Sequence, residues 1–420
     1  MREYLPRIVD KKVIRYLNIF GAILVQGPKW CGKSTTCAKH SQSQFYIADP
    51  EGNFQNRTLA ETNPKIVLEG NTPRLIDEWQ DAPMIWDAVK FSVDKLGTNG
   101  NYILTGSSTP PKHSTFHSGV GRIGKIQMRP MTLSESCNST NEVSFAGLFE
   151  KEEIHGVNKL GLKEIADLCV RGGWPGNLQT KQDDQIIIPK QYIDSLAGDD
   201  MTKYDGITRN SITAKKLLAS VARNNQTLVT KRTLMADTGV SEPTFDNYFN
   251  VLTNLFVFEN IPAWSPNIRS GVRLRSAEKT RFVDPSLAIA ALNLTPGSMI
   301  NDIKTFGFMF ENLCSRDILT YAEIMGAQVY HYHEASRENS SQCEIDLIVE
   351  LADGEWGGFE IKLGANQIDE AEKNLLKISK KLQDNGAKPP KCLAVISGLS
   401  HYAYETPNGV KIVPIGCLSA

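Results

Sequence analysis

The string Gly27-Pro28-Lys29-Trp30-Cys31-Gly32-Lys33-Ser34 constrains this chain more than any other. It has the form G-x-x-x-x-G-K-[ST], and it stands between the apolar run Ala22 to Val25 and the helical stretch Lys33 to His40. A strand, a glycine-rich turn and a helix start in that order put a row of backbone N–H groups around a concavity. The helix dipole adds positive potential there. Such a cradle takes the phosphates of a nucleotide. Gly27, Pro28, Lys29, Cys31, Gly32, Lys33, Ser34 and Thr35 are therefore the candidate nucleotide-binding residues. Lys33 would reach the β and γ phosphates, and the Ser34 hydroxyl would ligate Mg²⁺.

The next apolar segments extend the reading. Phe45 to Ile47 is strand-like, Leu75-Ile76 leads into Asp77-Glu78, and Tyr102-Ile103-Leu104 leads into Thr105-Gly106-Ser107-Ser108. Alternating strands and helices imply a parallel sheet. Asp77 is expected to hold Mg²⁺ and Glu78 to polarise the attacking water. One hydroxyl among Thr105, Ser107 and Ser108 would sit beside the γ-phosphate, with Ser107 the candidate carried forward. Arg122, in Gly119-Val120-Gly121-Arg122-Ile123, is a candidate for stabilising transition-state charge, in its own chain or in a neighbour's site. Arg129 is a weaker one.

The totals fit two or three domains: 420 residues, 46 Lys plus Arg against 47 Asp plus Glu, and a formal charge of -1. No apolar run is long enough for a membrane helix, and the eight cysteines form no C-x-x-C pair, which points to reduced thiols in a cytoplasmic setting. His113 and His117 stand four apart in a loop with no third ligand nearby, and are not expected to bind metal.

Downstream, Glu150 to Asp205 reads as mostly helical, broken by the turn-rich Arg171-Gly172-Gly173-Trp174-Pro175-Gly176. Leu234 to Thr244 reads as helix, glycine turn and second helix capped by Ser241. Lys231 and Arg232 could meet phosphates, whereas Glu242 and Asp246 would face DNA unfavourably, so DNA contact and protein packing both stay open. In the last third, Phe306 to Tyr321 and Ile368 to Leu382 are helical, and Ile345 to Leu351, Gly358 to Leu363 and Cys392 to Ile396 are strand-like. Glu360 and Lys362 share a strand face, and Asp346 can meet them from the neighbouring strand. Two carboxylates and a lysine suggest a site for one divalent metal on Asp346 and Glu360, with Glu311 from the first helix as a fourth polar group.

The order of these pieces resembles the prokaryotic AAA-type ATPases that carry a carboxy-terminal domain of unknown function. The resemblance rests on the P-loop, Arg74 to Gln80, Ile103 to Ser107, Gly121-Arg122, Arg129-Pro130-Met131-Thr132-Leu133-Ser134-Glu135 and Arg171 to Pro175. It implies adenine nucleotide, ATP with Mg²⁺, and hydrolysis. Thr230 to Phe258 resembles that family's winged-helix segment. Asp346, Glu360 and Lys362, with Glu311 and Gln367, look like the PD-(D/E)XK nuclease core, although Ile345 stands where that motif has proline.

The expected architecture is α/β: a P-loop AAA-type ATPase domain over residues 1–140, a helical lid or linker over 141–205, a winged helix over 206–265 and a nuclease-like domain over 266–420. The functional expectation is an ATPase coupled to a nuclease-like tail that could bind DNA. The alternative is an ATP-dependent switch or scaffold whose tail only binds partners. A homo-oligomer is left open, and no membrane association is expected.

Overall fold

The computed structural model describes residues 4–109, 118–150, 152–267, 271, 273, 276–334 and 343–420. The His113 and His117 pair lies outside them. By packing, the chain divides into two units: Met1–Pro130 with Gly198–Arg209 and Asn247–Val257, and Met131–Ala197 with Asn210–Asp246 and Phe258–Ala420. The four consecutive segments expected from sequence are thus regrouped. Two short stretches from the middle of the chain pack with the amino-terminal unit, and long-range packing of that kind leaves no local compositional mark.

The first unit is built on five parallel strands: β1 (Ala22–Gln26), β2 (Ser43–Tyr46), β3 (Arg74–Asp77), β4 (Tyr102–Gly106) and β5 (Ile123–Gln127). Their order is β2-β3-β4-β1-β5. The central strands β1 and β4 are almost wholly buried, as continuous aliphatic runs in a parallel sheet covered on both faces must be. Helices α1 (Val9–Ile19) and α2 (Lys33–Lys39) flank β1 in sequence. The helix Met84–Leu96 buries Ile85, Trp86, Val89 and Val93, and Trp86 packs on Trp79 with ring centroids 4.9 Å apart. Each large apolar side chain buried here contributes about 1.5–3 kcal/mol.

The second unit combines helices with a mixed sheet. Three strands, Gln328–Glu334, Cys343–Glu350 and Trp356–Lys362, pair antiparallel in sequence order. The helix Ile368–Asp384 then returns the chain to Cys392–Ser397, which pairs parallel to Trp356–Lys362. That helix buries Ile368, Ala371, Leu375, Ile378 and Leu382, one stripe at helical spacing. Lys411–Pro414, Tyr402–Glu405 and Gly156–Val157 complete the sheet. Three helices, Ser211–Arg223, Lys231–Thr238 and Glu242–Asn254, the last of which belongs to this unit only as far as Asp246, precede an antiparallel pair of strands, Phe258–Ile261 and Lys279–Phe282.

A buried polar network ties this unit together. Arg316 lies 2.9 Å from Asp284 and 2.8 Å from Asp317, and all three side chains are buried. Asp317 also accepts the Leu133 N–H at 2.9 Å, and Asp284 accepts the Gly173 N–H at 2.9 Å. The turn after Arg171 needs glycine for closeness: a Cβ on Gly173 would sit 2.2 Å from the Met131 carbonyl oxygen. Among the described residues, no helix is long and apolar enough to cross a membrane.

Candidate functional site

The P-loop leaves the carboxyl end of β1. Gly27 donates its N–H to the Gly106 carbonyl at 3.3 Å, so the loop starts against the end of β4. On its other side a Cβ at Gly27 would lie 2.1 Å from the Met128 carbonyl oxygen, so no larger residue fits. Gly32 then takes a left-handed φ of 100° to start α2. Pro28 and Cys31 are buried in the loop, Lys29 is partly exposed and Thr35 faces outward from the first turn of α2. Arg7 pins the loop from outside, donating to the Cys31 carbonyl at 2.7 Å and the Arg129 carbonyl at 2.8 Å. The Lys33 ammonium folds across the loop onto the carbonyls of Gly27 (3.0 Å) and Pro28 (2.8 Å).

The strand order places β4 between β1 and β3, so three strand ends converge on the loop. Thr105, fully buried, donates to Asp77 Oδ1 at 2.6 Å and accepts the Glu78 N–H at 3.0 Å. Ser34 also hydrogen-bonds Asp77. Burial pushes the Asp77 carboxyl above its ordinary value; the Thr105 and Ser34 hydroxyls oppose this, and the Glu78 charge adds to it. Glu78 sits in the left-handed region at φ 57°, a conformation that costs a non-glycine residue about 1–2 kcal/mol and clusters at working sites. Its carboxylate accepts the Ser107 hydroxyl at 2.9 Å and the Gln80 amide. Asp81 is also raised, by burial and then by the Glu78 charge. Hard oxygens of Ser34 and Asp77, set in a patch of excess negative charge, fit a Mg²⁺ ion.

Arg122 is not brought to this loop. Its carbonyl accepts the Ala22 N–H, and Ile123 pairs with Ala22, so it stands at the amino-terminal edge of the sheet. Five strand residues at about 3.3 Å each separate that edge from the P-loop. There Arg122 pairs with Asp94 at 2.7 Å. Arg129 follows β5 at the P-loop edge, where Met128 donates its N–H to the Gln26 carbonyl.

The carboxy-terminal residues are brought together, with a different outcome. Lys362 Nζ lies 2.5 Å from Glu360 Oε2 and 3.5 Å from Asp346 Oδ2. Asp346 Oδ2 also accepts the Ile361 N–H at 2.8 Å, and Asn374 donates to Glu360 Oε1 at 2.8 Å. Glu311 is paired to the buried Lys279 at 2.8 Å, and Lys279 also lies 3.4 Å from Glu344. Burial, then the Asp346 charge, pushes Glu360 up to about 8, and burial pushes Glu311 up to about 7 against the pull of Lys279. Burial raises Asp346 too, but Lys362 and Lys279 outweigh it and hold its carboxyl below the ordinary value. The Lys362 ammonium thus lies between Asp346 and Glu360, the two carboxylates on which a metal was expected. Among the described residues no group of three or more His, Cys, Asp or Glu side chains is placed to hold a metal. Gln367, expected beside the cluster, instead accepts the Gly364 N–H at 3.1 Å.

Lys231, the candidate phosphate contact, is spoken for: its Nζ lies 2.8 Å from Glu242 and 2.6 Å from Asp246.

Residues 20–137 match a family described as an AAA domain. With the parallel sheet and the P-loop geometry, that match supports a P-loop ATPase-like domain in the amino-terminal part of the chain. Residues 162–298 match a domain of unknown function (DUF8612), and residues 306–418 another (DUF4143). No curated protein matches the chain. Among solved structures it is similar to a Walker-type ATPase of Pyrococcus abyssi, at 12% identity, over 69% of this chain and 96% of that one, with a TM-score of 0.41. It is also similar to a DNA replication initiation factor (10% identity, 59% and 90% coverage, TM-score 0.26). A third is a signal-transduction ATPase with numerous domains and a tetratricopeptide repeat sensor from Pyrococcus horikoshii (11%, 77% and 50%, 0.21). All three similarities are remote.

Sequence reasoning missed Gln80, Lys279, Asn374 and Asp200. Gln80 stands two residues from Glu78 and could have been found there. The other three reach their partners only through the fold.

Proposed function

We propose that the AAA-type domain binds ATP and hydrolyses it with Mg²⁺, and that the carboxy-terminal region binds partners without cutting nucleic acid. The observation that supports the first part is the chain Asp77–Thr105–Glu78–Ser107 at the strand ends beside the P-loop. Backbone N–H groups of the loop and the Lys33 ammonium take the β and γ phosphates. A Mg²⁺ ion held by Ser34 and Asp77 supplies neutralisation of phosphate charge when bound. Glu78, oriented by Ser107 and Gln80, aligns the attacking water and accepts its proton.

Lys33→Ala is expected to lose ATP binding, and Glu78→Gln to keep binding while hydrolysis falls by about 10²–10⁴-fold. Undiminished affinity in the first variant, or an unchanged rate in the second, would sink the assignment. Arg122 enters this reading only through a second copy. If it does, Arg122→Ala alone is inactive and mixing it with Lys33→Ala protein restores activity; if it does not, Arg122→Ala alone hydrolyses ATP at the wild-type rate.

The non-cleaving tail is supported by Lys362 between the two carboxylates. Wild type and Glu360→Ala are expected to leave single- and double-stranded DNA and RNA intact with Mg²⁺ or Mn²⁺. Cleavage by wild type that Glu360→Ala abolishes would restore the nuclease reading. The three helices and strand pair around Lys231 fit a winged helix used for protein packing, since its lysine is neutralised from within.

A further inference from the structure

The P-loop carries a second lysine whose side chain the hydrolysis chemistry above does not use. Lys29 Nζ lies 2.7 Å from Asp200 Oδ1, with the two side chains 44% and 7% exposed. Asp200 is 171 residues away in sequence and closes the π-helical turn Leu196–Asp200. Single π turns recur at functional sites, where they re-aim a side chain.

Asp200 belongs to a defined arm of the nucleotide-binding unit, Gly198–Arg209, which packs there with Asn247–Val257. Arg209 fastens the arm internally, donating to the Met201 carbonyl at 2.7 Å, to Asp205 at 2.6 Å and to Asn247 Oδ1 at 2.8 Å. A second point of attachment lies past the end of β4. Thr109 donates its N–H to the Asn254 carbonyl at 2.9 Å, and the Asn254 side chain bonds Tyr204 of the arm. The arm therefore reaches the site directly at the P-loop and, through Asn254, at Thr109 just beyond the strand that carries Thr105 and Ser107. The Asp200 carboxylate and a bound polyphosphate would compete for one ammonium, and Asp81, which also feels the Lys29 charge, makes that ammonium the local counter-ion of two acids.

We propose that the Asp200–Lys29 pair is a nucleotide-sensitive latch. The γ-phosphate of ATP draws Lys29 off Asp200 and loosens the arm, whereas ADP leaves the pair closed. The latch rests on the reading of the P-loop as an ATP site. Because such coupling is reciprocal, removing the Asp200 charge must favour the triphosphate over the diphosphate.

The test uses the full chain as wild type, Asp200→Asn, Asp200→Glu, Lys29→Ala and Lys29→Ala with Asp200→Asn, with ATPγS and ADP affinities measured by calorimetry. The expected result for Asp200→Asn is a rise of about 5- to 20-fold in the ratio of ATPγS to ADP affinity, the usual size of such couplings. ADP affinity stays near wild type, which also shows that the variant is folded. Asp200→Glu keeps the wild-type ratio, and in the Lys29→Ala background Asp200→Asn changes nothing. ATPγS, but not ADP, should speed tryptic cleavage after Lys203 in wild type. An unchanged ratio in Asp200→Asn, or the same change without Lys29, overturns the latch. Failure of wild type to bind either nucleotide overturns the P-loop reading, and the latch with it.

Discussion

Asp317 shares the Arg316 guanidinium with Asp284 in a triad buried on every side. Burial pushes the Asp317 carboxyl up to about 6 despite Arg316 and the Leu133 N–H, with Glu135 adding to the rise. A carboxylate raised in the folded state favours folding when protonated. Its contribution is fully present below the unfolded value of 3.8 and is lost as pH rises through about 6. The difference is about 2 units, or roughly 3 kcal/mol. Asp317→Asn mimics the protonated form and can still accept the Leu133 N–H through its amide oxygen. The variant is therefore expected to be more stable than wild type at pH 7 by up to about 3 kcal/mol, with the advantage shrinking to nothing near pH 4. Arg316→Met does the opposite, stranding two buried carboxylates at a loss of about 3–5 kcal/mol. Urea unfolding followed by near-ultraviolet circular dichroism at several pH values gives the difference curve. An Asp317→Asn variant that is destabilised at pH 7, with a difference flat between pH 4 and 6, would show that the ion pair outweighs its desolvation and would refute this reasoning.

Three further outcomes follow from single contacts. Gly173→Ala should destabilise the second unit by more than about 2 kcal/mol through the clash with the Met131 carbonyl, while Gly176→Ala, where a Cβ meets nothing within 4 Å, should be near neutral in the same unfolding experiment. Lys362→Met should lose about 3 kcal/mol of stability and regain part of it when combined with Glu360→Gln; no rescue would mean that the lysine acts through its packing alone. Lys231→Ala should leave DNA affinity unchanged, whereas Glu242→Gln with Asp246→Asn should free the lysine and steepen the salt dependence of DNA binding by about one ion; equal binding by both would exclude this face as a DNA contact.

The sequence by itself determined the P-loop and the strand ends of the candidate site, because each of these pieces is local. Gly27 to Ser34 are consecutive, a strand must precede them and a helix must follow. Asp77, Glu78 and Thr105 each end a short aliphatic run, and parallel strands in such a sheet deliver their carboxyl ends to one edge. The strands and helices around Asp346, Glu360 and Lys362 were legible for the same reason, through period-two and helical patterning.

What only the tertiary structure decided is how charges meet across the chain. Arg122 and Arg129 look alike in sequence, yet one immediately precedes β5 and the other follows it, which puts them at opposite edges of the sheet. E-x-K spacing gives two residues on one face, but not that Lys362 would lie between Glu360 and Asp346, nor that Lys279 would hold Glu311. The pairing of Lys29 with Asp200 spans 171 residues. Periodicity records which face of an element is buried. Coulombic partners are chosen by proximity in three dimensions, and no local pattern encodes that choice.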